Sequence, residues 1–406
     1  MRIRSWSVAA AFACTCGAAG AQTVITEADA LARLSTDSPR VRAIRSGIEL
    51  ARADVLSVSR WPNPRLYVGR ESVAGVAETI TTVLQPLPIT GQRRFETASA
   101  TSLLEATTSR ADEAVRRARA DLRMAYADLV SAQTRERELT AARDRLQELV
   151  GILERRERAG DAAAFDRLRA QREGLDLEAD RVIAGADRAR AQGRLASYFA
   201  AGTDPSTIVA ASPVIPPRDV PPVDVLVGQA ERTRGEVLAL QHEIESARFA
   251  ERAAGRRRVP EPEVLGGTKS SSLGGGDIGS VISIQAVLPL FDRGAPERAR
   301  AQARGAVALA RLETFRIMLR NEIAAWRAAA LERRGAAERY RASALTTSAN
   351  VERIAQVSYD AGERGILELL DAYRTSASAR MRLGALDAAA REAEIELEFV
   401  SGWEFP

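Results

Sequence analysis

Apolar residues recur every seven positions along the stretch from Gln92 to Arg158, which contains no proline. The members of this heptad series are Ala111, Ala118, Ala125, Ala132, Leu139, Leu146 and Leu153. A seven-residue apolar repeat predicts a helix that packs along a coiled-coil seam. About 67 residues at 1.5 Å each give a helix of about 100 Å. The stretch from Ala295 to Ala361 is equally long and has no proline after its first turn, so it predicts a second such helix.

Four shorter runs show the alternation of β-strands instead. They span residues 65–71, 77–85, 263–271 and 278–288. In the last run, Ile278, Ile282 and Ile284 fall on one face, whereas Ser283 and Gln285 fall on the other. Runs of about ten residues with one apolar side are typical of tilted membrane strands, although an ordinary soluble hairpin is the alternative. We therefore predict that the three isoleucines face lipid.

The same pattern occurs twice, at an offset of about 200 residues. Pro62-Asn63-Pro64 corresponds to Pro260-Glu261-Pro262, Gln85-Pro86 with Gly91 to Leu288-Pro289 with Gly294, and Ala159-Gly160 to Ala361-Gly362. Proline ends the helix before each strand pair, and glycine supplies the positive φ that a turn between helices needs. Three marks in the same order predict a tandem duplication. The expected fold is mainly α with a small β part, in which each copy holds two strands and one long coiled-coil helical hairpin.

The return path of the first hairpin is interrupted. Two helices, Ala162–Ala200 and Arg232–Arg258, together match the length of one long helix. Because 202–223 is too polar for a core and too broken for a helix, we expect a belt at the mid-height of a helical barrel. The predicted segments are a signal peptide at 1–21, an N-terminal helical segment at 22–60, strands 1 and 2 at 61–91, a first hairpin at 92–200 with its tip near 158–166, a linker at 201–231, a helix at 232–258, strands 3 and 4 at 259–294, a second hairpin at 295–400 with its tip near 359–371, and a tail at 401–406.

The first 21 residues have the layout of a secretory signal, with a basic start, an apolar stretch and an A-x-A cleavage site at 19–21. Cys14 and Cys16 both lie inside this segment. We expect the mature chain to start at Gln22, without lipid and without a disulfide. A protein outside the cytoplasm that lacks disulfides must be held together by packing and oligomerisation.

The charge balance excludes a nucleic-acid-binding protein. The chain has 58 basic and 54 acidic residues, spread almost evenly, and no basic patch is interleaved with aromatic residues. No uncharged run after the signal reaches the roughly 18 residues that a spanning helix needs. Any passage through a membrane must therefore use strands.

Residues suited to catalysis are scarce. His242 is the only histidine, and its charged neighbours favour a surface position over a ligand role. Gly274–Gly276 lack the Lys-Ser/Thr and the following helix of a nucleotide loop, so they fit an extracellular hairpin loop. Without a nucleophile elbow or metal-ligand spacing, we predict no enzyme activity, no catalytic residue, no metal and no cofactor.

The paired prolines, the two turns into the long helices and the segment Tyr359-Asp360-Ala361-Gly362 with 366–372 resemble the TolC family of outer-membrane efflux proteins. The resemblance implies a homotrimer in the outer membrane, with most of each chain in the periplasm. Each chain would give four strands to a 12-stranded β-barrel that stands on an α-helical barrel. Four strands alone cannot close a barrel, since the smallest membrane barrels use eight. The implied partners are outer-membrane lipid, a periplasmic adaptor (membrane fusion protein) and an inner-membrane pump of the RND type.

The resemblance also implies roles for residues at the hairpin tips. The expected adaptor contacts are Arg158, Gly160, Asp161, Gly362, Glu363 and Arg364. The expected periplasmic gate consists of Asp166, Tyr359 and Arg364, which link neighbouring helices, and of Glu368 and Asp371, which ring the constriction. Glu368 and Asp371 share a helix face, and threefold symmetry would bring six carboxylates to the axis, where they favour cations. The alternative is that both are solvated surface acids.

The cargo is indicated only by a further resemblance. The Gly91-Gln92-Arg93-Arg94 turn and the length of 406 residues are similar to the heavy-metal, CzcC-like branch, so heavy-metal cations or small toxic compounds are expected. A periplasmic adaptor or a purely structural coiled coil is the alternative class. An adaptor would carry one hairpin between β-rich halves, whereas this chain carries two hairpins in tandem and four strands of membrane length.

Overall fold

The computed structural model describes residues 23–34, 38–160, 163–212 and 219–403. The predicted signal peptide with Cys14 and Cys16, the predicted start at Gln22, and Asp161 lie outside the described residues. The elements in chain order are β1 (Thr23–Ile25), α1 (Glu27–Arg33), α2 (Pro39–Ser59), β2 (Arg65–Val73), β3 (Val76–Pro86), α3 (Gln92–Ala159), α4 (Ala164–Ala196), β4 (Ile208–Ala210), α5 (Val223–Thr233), α6 (Gly235–Arg256), β5 (Pro262–Ser271), β6 (Ile278–Ala286), α7 (Ala295–Arg339), α8 (Thr346–Asp360) and α9 (Ile366–Ser401). The fold is mainly helical with a small β part, as the sequence predicts.

The first long helix matches its prediction closely. Helix α3 has 68 residues and follows Gly91, and Gly160 caps its C-terminus with φ of 81°. Six members of the heptad series are buried: Ala111, Ala118, Ala125, Leu139, Leu146 and Leu153. The seam therefore runs along most of α3, as a seven-residue repeat requires.

The second long helix differs from the prediction of one unbroken run. Helix α7 ends at Arg339, and a π-helical segment, Tyr340–Leu345, joins it to α8. A π-turn holds one more residue than the α-helical turn it replaces. Neither proline nor glycine marks the segment Tyr-Arg-Ala-Ser-Ala-Leu, so residue type gives no sign of the break.

The predicted linker at 201–231 contains two elements that the sequence interpretation missed. Strand β4 pairs in parallel with β1, which opens the predicted N-terminal helical segment, and α5 begins at Val223. Helix α5 buries Leu226 and Ala230, four residues apart. This spacing is a local helical signal, but the prolines before it had suggested irregular structure throughout.

Buried apolar side chains form three clusters among the described residues. The first lies between α1, α3, α4 and the β1–β4 pair, where the Tyr126 hydroxyl donates to the carbonyls of Ile25 and Ala211 at 3.0 and 2.6 Å. The second joins α5, α6, α7 and α9, and the third lies at the hairpin tips. None of the described helices combines the length and the apolar character of a membrane-spanning helix.

Candidate functional site

The four longer strands form one antiparallel sheet in the order β2-β3-β5-β6. Residues directly opposite each other in an antiparallel ladder point to the same face. Ile282 lies in one row with Gly266, Val83 and Leu66, and Ile284 lies opposite Val264. Ile278, Ile282 and Ile284 are 73, 81 and 73% exposed. The apolar side that the sequence indicates for the last strand therefore extends across the whole sheet.

The opposite face of the sheet is charged. Arg65 pairs with Glu263 at 2.5 Å, and Lys269 pairs with Glu78 at 2.7 Å. The Gln285 amide donates to Glu263 at 3.0 Å. Among the described strand residues, the apolar face carries a single charge, Arg70, next to the loop end of the sheet. The two faces thus differ in charge.

The sheet has two open edges within the described chain, at β2 and β6. A strand at an open edge presents unpaired backbone N–H and C=O groups that can pair with a further strand. The turn between β2 and β3 is tight: Ala74 and Gly75 both have positive φ, at 48° and 84°. This is the backbone of a two-residue hairpin with the right twist for the sheet.

At the far end of the long helices, the tips of both hairpins pack together. The third apolar cluster draws on four helices, α3, α4, α8 and α9, and contains Leu146, Leu149, Leu153, Ala170, Ala355, Tyr359, Ile366, Leu369, Leu370 and Ala372. The two halves of the repeat therefore share one core at this end. The sequence patterns did not predict this shared core, because they indicate packing only between neighbouring helices.

Tyr359 is the predicted gate residue that lies deepest, at 9% exposure. The guanidinium of Arg156 lies over its ring, 5.6 Å from the centroid. Burial raises the pKa of the Tyr359 hydroxyl, and the nearby Asp166 carboxylate acts in the same direction against Arg156. The structure brings Tyr359 and Asp166 near one another. The contact of Arg156 with this ring was missed by the sequence interpretation.

Arg364, Glu368 and Asp371 lie on the exposed surface of the chain. The backbone N–H groups of Glu363 and Arg364 donate to the Ser358 carbonyl, which fixes the turn after α8. Glu368 and Asp371 lie on the solvent side of α9, away from the tip core. Within the described residues, no ion pair joins these three charged side chains to another group. The link between neighbouring helices that is expected of Asp166, Tyr359 and Arg364, the proposed clamp, therefore has no ion pair from Arg364 within the described part of one chain.

The predicted adaptor contacts lie at the turns after α3 and α8. The Arg158 side chain is 79% exposed and approaches Glu154 at 3.9 Å. Gly160 and Gly362 have φ of 81° and 73°, as required for reversal of a helix. Gly362, Glu363 and Arg364 are exposed. These turns form the outermost surface beyond the shared tip core.

The sequence model of the family described as "Outer membrane efflux protein" matches residues 226–402, which run from α5 to the end of α9. Over these residues, somewhat less than half of the chain, the sequence is similar to the outer membrane efflux protein family. The match confirms the family that the repeats and turns resemble. No match was found among curated proteins.

Solved structures share the efflux-protein fold over nearly the whole chain. A membrane protein from Pseudomonas aeruginosa has a TM-score of 0.77 at 20% identity, and the match covers 93% of each chain. The outer membrane protein VceC from Vibrio cholerae has a TM-score of 0.75 at 18% identity, covering 94% of this chain and 97% of VceC. The CmeC outer membrane channel from Campylobacter jejuni has a TM-score of 0.77 at 15% identity, covering 93 and 85%. The N-terminal half, outside the family match, therefore has the same fold.

Ion pairs also join the two hairpins near the tip. Arg374 on α9 binds Glu173 on α4 at 2.8 Å, and Arg145 on α3 binds Glu352 on α8 at 2.7 Å. The partners lie 201 and 207 residues apart in sequence. Such contacts have no local signal, so sequence patterns could not have revealed them.

A network of charges also joins the two halves of the chain near the middle of α3. Glu27 accepts hydrogen bonds from Arg123 of α3 and from Arg391 of α9. Arg123 also pairs with the buried Glu398, and Arg391 with the buried Glu394. Burial acts to raise the pKa of Glu27, but Arg391 and Arg123 outweigh it and lower the pKa below the ordinary value of 4.5. The N-terminal segment is therefore fastened by a carboxylate that must remain ionised.

Proposed function

We propose that this chain is one subunit of a trimeric outer-membrane export channel. The observation that carries the proposal is the sheet with one apolar and one charged face and two open edges. In lipid, each backbone polar group needs a partner, so open edges must be closed by further strands. Four strands from each of three chains would give a 12-stranded barrel with isoleucines towards lipid and Arg65, Glu263 and Lys269 towards water.

Exposed apolar positions on the helices support assembly with further copies. Leu168, Leu175 and Val182 recur every seven residues on α4 and are 56, 67 and 58% exposed. On α7, Ile317 and Leu331 lie two heptads apart and are 66 and 41% exposed. A heptad series that is unburied in one chain suits a seam with another helix. These series would extend the helices into a closed barrel in the periplasm.

The tip is proposed as the periplasmic gate. Glu368 and Asp371 are exposed and carry no ion-pair partner among the described residues, so both are available to line an axis. Arg364 and Asp166 are proposed to link neighbouring chains around Tyr359. Converging carboxylates would attract cations at the constriction.

The partners and cargo follow from the same proposal. The turns at Arg158, Gly160, Gly362, Glu363 and Arg364 would meet a periplasmic adaptor, and Asp161 would belong to the same surface. The adaptor would connect the channel to an inner-membrane pump of the RND type. Heavy-metal cations are the proposed cargo, on the resemblance of the Gly91–Arg94 turn. Loss of the gene should then raise sensitivity to Zn²⁺, Co²⁺ or Cd²⁺ more than to dyes or antibiotics.

The membrane barrel is tested by a pair of neighbouring substitutions. Ile282→Arg places a charge on the apolar face and should cost about 2–4 kcal/mol at mid-bilayer depth. Ser283→Arg places the same charge on the opposite face and should be tolerated. The amount of heat-resistant trimer extracted from outer membranes measures the effect. Equal tolerance of both variants would contradict the barrel.

A further inference from the structure

The only histidine of the chain lies between two carboxylates that the sequence does not bring together. His242 and Glu245 are one turn apart on α6, and Glu105 belongs to α3. The His242 Nδ1 atom is 3.1 Å from Glu105 Oε2. One ligand atom from each of the three side chains lies within 4.8 Å of the others. His242 is partly buried, and both glutamates are exposed, so the cluster is open to ions from solution.

The donor set suits one class of ion. Imidazole nitrogen together with carboxylate oxygen is typical of Zn²⁺, Cu²⁺ and Ni²⁺ sites, whereas Mg²⁺ and Ca²⁺ prefer oxygen ligands alone. Two ligand atoms about 2.1 Å from a tetrahedral zinc ion are about 3.4 Å apart. The separation of His242 Nδ1 and Glu105 Oε2 is already close to this value. A side-chain rotation of Glu245 would bring in the third ligand.

We propose that Glu105, His242 and Glu245 form a binding site for a borderline divalent cation, with Zn²⁺ as its main occupant. The ion would lie between the His242 Nδ1 and Glu105 Oε2 atoms, with Glu245 as the third ligand and water in the remaining position. The site lies 13 residues from the start of α3, or about 20 Å along the helix axis from the strand end. Because its ligands come from α3 and α6, the ion ties a helix of the first repeat to the helix that leads into the strands of the second repeat. This site is separate from the tip and does not depend on the proposed gate.

The test uses the full-length trimer in detergent, with any affinity tag removed because histidine tags bind the same metals. After incubation with ZnCl₂ and dialysis against metal-free buffer containing Mg²⁺, bound zinc is measured by elemental analysis and affinity by calorimetric titration. We expect one Zn²⁺ per chain and a higher unfolding temperature with zinc, since an ion that binds the folded state stabilises it. His242→Gln and Glu245→Gln should each weaken binding by at least about tenfold, and Mg²⁺ should not compete.

The matched control is Asp112→Asn, which removes an exposed carboxylate from α3 two turns beyond Glu105. This variant should bind zinc as the unaltered protein does and show the same rise in unfolding temperature. The proposal is overturned if zinc does not bind, or if His242→Gln leaves the affinity unchanged. It is equally overturned if Asp112→Asn weakens binding as much as His242→Gln, because the ion would then sit among surface carboxylates in general.

Discussion

The two halves of the chain are built from matching elements, but their long helices differ. The helices that lead into the strands, α2 and α6, have 21 and 22 residues, and the returning helices α4 and α9 have 33 and 36. Helix α3 continues without a break for 68 residues, whereas its counterpart is divided by the π-turn at Tyr340–Leu345. The duplication has kept the lengths of the elements and changed the continuity of one of them.

The tip of the second hairpin also differs in charge from the tip of the first. At the repeat offset of 202 residues, Glu368 and Asp371 correspond to Asp166 and Arg169. The second hairpin therefore carries two acids on the helix face where the first carries one acid and one base. A π-turn inside a long helix is often found at functional positions. We infer that the second hairpin carries the functional residues of the tip, whereas the first hairpin has a structural role.

The largest expected difference is between two single-residue deletions, one in each long helix. Deletion of Arg137 turns the rest of α3 by about 100° and displaces its seam leucines. The seam positions would then be taken by Thr140, Gln147 and Glu154. Each lost leucine contact is worth about 2–5 kcal/mol, so the chain should be strongly destabilised and the proposed trimer should not assemble.

Deletion of Ala342 should be far milder. The π-turn contains one residue more than an α-helical turn, so the deletion restores a continuous helix and leaves Ala355 and Tyr359 on the same face. Heat resistance of the trimer on gels compares the two deletions. If both deletions are equally damaging, the π-turn is needed for the fold and is not a tolerated extra residue.

A smaller contrast is expected at the glycines that begin the two long helices. Gly91 and Gly294 have φ of 78° and 76°. A Cβ at Gly294 would lie 2.2 Å from the Ala254 carbonyl oxygen, whereas a Cβ at Gly91 would meet nothing within 4 Å. Gly91→Ala should cost about 1–2 kcal/mol for its left-handed backbone. Gly294→Ala should cost about 1–3 kcal/mol more because of the overlap. Unfolding in denaturant measures both, and similar costs would show that the strand-to-helix junctions are equivalent.

Local signals account for what the sequence predicts well. The heptads of α3, the glycines at the turns and the alternation around Ile282 are all visible within a few residues, and the structure follows them. The π-turn has no residue signature, and α5 was obscured by the prolines before it. The contacts of Arg156 with Tyr359 and of Glu27 with Arg391 join residues more than 200 positions apart. Such contacts depend on how the two repeats pack, which no local pattern specifies.

The stability that Glu27 contributes through Arg123 and Arg391 should depend on pH. Because the folded pKa of Glu27 is lowered, its ionised form stabilises the fold above the ordinary pKa of 4.5, and this contribution is lost as pH falls through the folded pKa. Glu27→Gln should therefore reduce stability at pH 7 by about 1.5–3 kcal/mol, the range for a hydrogen bond to a charged group. The adjoining cavity of about 490 Å³ can admit water, which can hydrogen-bond to groups left without a partner. We therefore expect a loss of stability near the lower end of this range.

Thermal unfolding at pH 7 and near pH 4 measures this contribution, and the difference between Glu27→Gln and the unaltered chain should shrink at the lower pH. Asp29→Asn, in the same helix α1, is the comparison. Hydrogen bonds from Thr26 lower the pKa of Asp29 as well, but its carboxylate is exposed and bonds within the N-cap of its own helix, so the difference in stability should be smaller than for Glu27→Gln at pH 7. A difference that stays constant with pH would mean that Glu27 acts through packing and not through its charge.

The smallest effect on stability, and the most specific effect on function, is expected at the acids of the second tip. Glu368 and Asp371 are exposed, so their joint replacement by alanine should change stability by no more than about 0.5 kcal/mol per site. In a trimer it would remove six carboxylates from the proposed constriction, and the focused negative potential with them. Cation selectivity and block by multivalent cations, measured in planar bilayers under a salt gradient, should both weaken.

Two further variants separate this effect from a general disturbance of the tip. Asp166→Asn changes the corresponding acid of the first hairpin, which Arg169 accompanies, and should shift selectivity less. Tyr359→Phe with Arg364→Ser removes two hydrogen-bonding groups from the proposed clamp. It keeps the aromatic ring beneath Arg156, so conductance should rise while selectivity stays. If the alanine variant leaves selectivity unchanged, Glu368 and Asp371 are surface charges and the proposed gate lies elsewhere.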